Sequence, residues 1–126
     1  AADLAEQENK SDAIAGIELP EESGAVADIL LDLVRRETKT LSIHFARTLV
    51  DGLKHKVEMV RNPHRHAGFR VLKAHDVPSI LLELGYLSSD DDEKLLLDEK
   101  WRKDLSRTVT RVVERFFGDR QARSPF

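Results

Sequence analysis

The chain has 126 residues, 40% of them apolar and 34% charged, with a formal net charge of −3 and no cysteine. That balance suits a globular chain rather than a disordered one and gives no global attraction to nucleic acid or an anionic membrane. It also excludes disulfides, thiol catalysis and cysteine-based zinc ribbons, and no apolar run is long enough to span a bilayer.

The first residues, Ala1-Ala2-Asp3, begin in mid-pattern without a Met and read as a mature or excised piece. Residues 3–15 set Leu4, Ala5, Ile14 and Ala15 among Glu6, Glu8, Asn9 and Lys10, the pattern of a polar helix ending near Gly16. Residues 17–24 read as a linker broken by Pro20, with Ser23 as N-cap of the next helix. That helix carries Val26, Ile29, Leu30, Leu33 and Val34 at helical spacing. Leu41, Phe45, Leu49 and Leu53 predict a second long helix over about residues 38–54. The pattern leaves open whether the two join near Arg35-Arg36-Glu37.

The character then changes. Residues 55–68 are basic and interrupted by Asn62-Pro63, which predicts a loop with a short extended piece at 57–60. Phe69-Arg70-Val71-Leu72 alternates like a strand, and residues 79–84 read as a second, more buried strand beyond a turn at 74–78. Residues 88–93, Ser-Ser-Asp-Asp-Asp-Glu, place serine and acids at the positive end of a short helix. A final helix from about 98 to 117 puts Trp101, Leu105, Val109, Val112, Val113 and Phe116 on one face, with Gly118 as its stop and 119–126 as a loose tail. Two strands alone do not make a stable sheet. The expected fold is therefore α/β: the C-terminal part of a mixed or parallel sheet flanked by helices, with a helical insertion.

Glu83 stands out within Pro78-Ser79-Ile80-Leu81-Leu82-Glu83-Leu84-Gly85-Tyr86, an apolar, β-prone run. A carboxylate in a buried strand is costly unless it is paired, protonated or metal-bound. At the carboxyl end of such a strand it sits where open α/β sheets place ligands, which makes it a candidate general base or acid. The bland alternative is a solvated strand end or an ion pair with Arg70 or Lys73.

The run from Gly68 to Ser88, GFRVLKAHDVPSILLELGYLS, resembles the C-terminal motif of zinc-dependent N-acetylmuramoyl-L-alanine amidases of the amidase-3 type, the cell-division peptidoglycan amidases. The likeness continues through Asp91–Leu96 and, more weakly, Leu4–Asp12; His75 departs from it, standing where the family more often has Pro. By that resemblance Glu83 is the catalytic glutamate. It would activate the attacking water beside a zinc and then protonate the leaving amine. The family's two His and one Glu zinc ligands are expected upstream of this chain.

Ser42-Ile43-His44 is followed by Phe45-Ala46 inside an amphipathic pattern, so His44 reads as an ordinary helix residue rather than the family's ligand histidine. Asn62-Pro63-His64-Arg65-His66 reads as an exposed basic loop without a third nearby ligand, and His55 as a solvated helix end. The resemblance assigns residues 3–36 to a regulatory helical insertion that covers the active site. It makes Glu8 the first candidate for a blocking zinc ligand and Glu6 the second. The stripe from Val26 to Val34 is core packing by default, or a surface for an activator protein of the division machinery.

The chain is thus expected to be the C-terminal portion of one amidase catalytic domain, with core elements over about 37–118. The implied enzyme is a periplasmic, zinc-dependent peptidoglycan hydrolase. It would cleave between N-acetylmuramic acid and L-alanine during daughter-cell separation, and this stretch alone would be inactive. The alternative is a non-catalytic helical interaction module with Glu83 as a structural ion-pair residue.

Overall fold

The computed structural model describes the backbone of residues 2–14, 25–74 and 76–123, with side chains for all of these except 8, 11–14, 25–28 and 121–123. Among the described residues four helices follow one another: α1 (Ala2–Ile14), α2 (Ala25–Leu53), α3 (Asp90–Leu97) and α4 (Glu99–Arg123). A 3₁₀ turn lies at Arg70–Leu72. The linker around Pro20, the cap at Ser23 and the turn residue His75 fall outside the described residues.

The chain divides into two compact units. The first comprises the residues up to His44 with His64–Leu81, and the second comprises Phe45–Pro63 with Leu82 onward. Helix α2 passes through both. The two helices read from residues 25–54 are therefore one, because nothing at Arg35-Arg36-Glu37 breaks the backbone ladder.

In the first unit, Ala5, Thr38 and Phe69 are buried. Asn9 of α1 grips the segment before the 3₁₀ turn at two points. Its Nδ2 donates to the Gly68 carbonyl at 2.8 Å, and its Oδ1 accepts from the Arg70 N–H at 2.6 Å. On α2, Ser42 Oγ donates to the Thr38 carbonyl at 2.9 Å and accepts from the Ser79 N–H at 3.0 Å.

In the second unit, Phe45, Leu49 and Leu53 recur every four residues on α2 and are buried, as are Leu105 and Phe116 of α4. Phe45 stacks on Phe116 with ring centroids 4.8 Å apart, and Phe117 meets Phe45 edge-on at 5.8 Å. Full burial of side chains this size contributes roughly 1.5–3 kcal/mol each. Asp98 serves two helices: its N–H closes α3 on the Lys94 and Leu95 carbonyls, and its Oδ1 accepts from the Trp101 N–H at the start of α4. On the surface, Lys54 bonds Asp51 at 2.9 Å and holds its carboxyl below the ordinary carboxylate value.

The α/β expectation is not met: among the described residues there is no strand and no sheet. A strand needs a neighbour for its N–H and C=O groups, and neither apolar run finds one. Residues 69–72 close a 3₁₀ turn instead, with the Leu72 N–H on the Phe69 carbonyl and the Lys73 N–H on the Arg70 carbonyl. Residues 79–84 are irregular, and the Ser79 N–H bonds a hydroxyl rather than a ladder. The helix expected to stop at Gly118 continues to Arg123. A glycine ends a helix by adopting positive φ, and Gly85 is the one glycine that does so among the described residues.

Candidate active site

Glu83 lies in the irregular segment that leads into α3, and it is exposed. The buried-strand environment inferred from its neighbours is absent: Leu81, Leu82, Leu84 and Tyr86 are themselves between 38% and 50% exposed. Among the described residues Glu83 has no ion pair.

The segment just beyond Glu83 is anchored firmly. Gly85 has φ of 155°, a conformation that residues with a side chain rarely adopt. A Cβ there would also lie 3.1 Å from the Asp92 Cβ. The chain then turns, with the Ser89 N–H on the Tyr86 carbonyl at 3.0 Å. Ser89 caps α3 through its Oγ, which accepts from the Asp92 N–H at 3.3 Å, while Asp92 Oδ2 reaches back to the Tyr86 N–H at 2.9 Å. Serine at the cap and an acid three residues on form the reciprocal arrangement of a capping box, here displaced onto the incoming turn. Asp90, Asp91, Asp92 and Glu93 all occupy the first turn, where the helix dipole favours negative charge.

The sequence located this cap but not the tether to Tyr86. The Ser89-x-x-Asp92 spacing was the signal for it.

The other candidates separate. Glu6 is exposed and pairs with Lys10 at 3.0 Å. The Glu8 side chain lies outside the described residues. His44 sits in mid-α2, as an ordinary helix residue would. His64 is half-buried and His66 exposed, with ring centroids 4.7 Å apart. Among the described residues no three His, Cys, Asp or Glu side chains converge as a tetrahedral zinc site would need.

A family match to N-acetylmuramoyl-L-alanine amidase covers residues 8–115 and includes Glu83 and its tether. The amidase AmiC of Escherichia coli O6:H1 is 30% identical over 118 residues, which is 92% of this chain and 28% of that protein. AmiA of Escherichia coli K12 is 26% identical over 114 residues, 90% of this chain and 39% of that protein. AmiC of Neisseria meningitidis serogroup B is 31% identical, over 90% of this chain and 27% of that protein. The chain therefore spans between about a quarter and two fifths of the length of these relatives. With the match running through nearly all of its described elements, the chain belongs to the N-acetylmuramoyl-L-alanine amidase family.

Proposed function

We propose that this chain supplies the proton-transferring side of a peptidoglycan hydrolase that cleaves the amide between N-acetylmuramic acid and L-alanine, with Glu83 as its catalytic carboxylate. The observation that carries this reading is the family match, which runs through the Glu83 segment. The exposure of Glu83, its lack of an ion pair among the described residues and the tether just beyond it support the role.

In this reading a Glu83 carboxylate oxygen takes a proton from the water whose oxygen attacks the amide carbon. It then returns that proton to the departing nitrogen as the C–N bond breaks. The products are the lactyl carboxyl group and the free amine of L-alanine, and Glu83 ends as it began. The family's zinc would supply the Lewis acid for this chemistry. Among the described residues no three donors converge on a site for it, and in this reading its ligands lie upstream of this stretch. The implied setting is the bacterial periplasm, and among the described residues no helix is long and apolar enough to cross a membrane.

In a complete domain carrying this stretch, Glu83→Gln is expected to lower kcat by about 10²–10⁴-fold with bound zinc unchanged. Hydrolysis retained at the parent rate would overturn the assignment.

Residues 3–36 are read as a regulatory insertion whose Glu8, or failing it Glu6, blocks the zinc until an activator protein draws the helix away. Support comes from α2, where Ile29, Leu30 and Leu33 are each more than half exposed, an apolar face open to a partner. Deleting residues 20–36 from the complete domain is expected to raise its basal rate. A folded variant with an unchanged or lower rate would rule the insertion out as a block.

A further inference from the structure

The loop residues His64 and His66 play no part in the proposed hydrolysis. We propose that their two imidazoles form a binding site for a divalent first-row transition ion, copper(II) before zinc. The argument starts from the ring separation. An imidazole nitrogen binds such ions at about 2.0–2.1 Å, which puts the metal roughly 3 Å from the ring centre. Two imidazoles on neighbouring coordination positions of one ion therefore have ring centres on the order of 4.5–5 Å apart. The rings of His64 and His66 are 4.7 Å apart and tilted by 47°, within the separation that two imidazoles on one ion require.

The chemistry of the surroundings selects the ion. Arg65 stands between the two histidines and Arg61 and Arg70 lie within a few residues of them in the chain, so the loop carries positive charge. A hard cation held mainly by charge, such as magnesium or calcium, has no carboxylate cluster among the described residues to offset that repulsion. An ion held by imidazole nitrogens overcomes it best at the top of the stability order for divalent metals, which is copper(II). With two protein donors, the remaining positions take water or an incoming carboxylate, so binding is reversible.

The test is a titration of this chain with copper(II), monitored by calorimetry and electron paramagnetic resonance. A single equivalent should bind, with hyperfine structure from two imidazole nitrogens. His66 is exposed, so His66→Asn is expected to keep the helical circular dichroism while weakening binding by about tenfold or more. His64→Asn should do the same, whereas His44→Asn and His55→Asn should leave the affinity unchanged. Binding that survives His66→Asn at parent affinity, a signal from a single nitrogen, or no binding at all would each overturn the proposal. Glu83→Gln should bind copper as the parent does, so failure here is separable from failure of the catalytic assignment.

Discussion

Asp92 Oδ2 accepts the backbone N–H of Tyr86 at 2.9 Å, and this contact ties the segment that carries Glu83 to the first turn of α3. If Glu83 is the catalytic carboxylate proposed above, the tether makes Asp92 its positioning residue. Asp92→Ala removes the acceptor and is expected to destabilise the fold by about 1–2 kcal/mol, read as a shift in the urea midpoint. In a complete domain it should lower kcat more than it changes KM. Asp92→Asn keeps an acceptor oxygen and should recover most of kcat. If Asp92→Ala lowered stability while kcat stayed at the parent value, the positioning role would be lost and only the structural one would remain.

The helical half of this architecture was legible because its signals are local. Leu105 and Phe116 recur at helical spacing and are buried on α4, and Ser89 followed by acids marks the start of α3. Phe45, Leu49 and Leu53 likewise show on α2 as the pattern predicts. The expected strands do not form because a strand is specified by its neighbours as much as by its own residues. Val71 and Leu81 alternate as strand residues do, yet without a pairing partner the first run closes a 3₁₀ turn and the second stays irregular and exposed. The same error hid the true setting of Glu83, since its supposed burial depended on that sheet. Its motif remained readable because it rests on residue identity rather than on backbone pairing.

The sequence places Asn9 on a polar helix, and nothing in its spacing indicates the two-point grip on Gly68 and Arg70. The amide matches one backbone carbonyl and one N–H together, which fixes α1 beside the 3₁₀ turn. Asn9→Ala removes both bonds and is expected to destabilise the first unit by about 1–3 kcal/mol. Asn9→Asp keeps the acceptor for the Arg70 N–H but loses the donor to Gly68, so its effect should be intermediate. Amide hydrogen exchange at Arg70 is the readout: slow in the parent, faster in Asn9→Ala and close to parent in Asn9→Asp. Unchanged protection in Asn9→Ala would show that α1 is held by other contacts.

Asp51 offers a pH-dependent check on the C-terminal turn of α2. The Lys54 side-chain hydrogen bond, then its charge, lowers the Asp51 pKa from 3.8, slight desolvation opposes this, and His55 adds a small lowering. Because the folded value lies below the unfolded one, the associated stability is present above the ordinary carboxylate range. It is lost as pH falls through the folded value. The pair is exposed, so the effect on global unfolding should be small. Carboxyl-carbon NMR of Asp51 should report a midpoint below 3.8 that rises toward it in Lys54→Met. His55→Asn should move it much less, and equal shifts in the two variants would reverse the ranking of causes.

Gly52 of α2 faces Val112 of α4 within the second unit. A Cβ at this position would lie 2.5 Å from the Val112 Cγ2, well inside van der Waals contact. Two effects oppose each other in Gly52→Ala. Replacing glycine inside a helix is favourable by about 1 kcal/mol, whereas overpacking a fitted contact costs about 1–3 kcal/mol. The intruded atom is a stiff β-branched methyl that cannot swing aside as a long side chain would, so the steric term should prevail. Gly52→Ala is therefore expected to lower the urea midpoint. Val112→Ala alone should lower it too, by leaving a small cavity. The double variant fits the new methyl into the space the valine vacates, so it should be more stable than the sum of the two single changes predicts. A double-mutant cycle with no favourable coupling would mean that the helices do not meet at this pair.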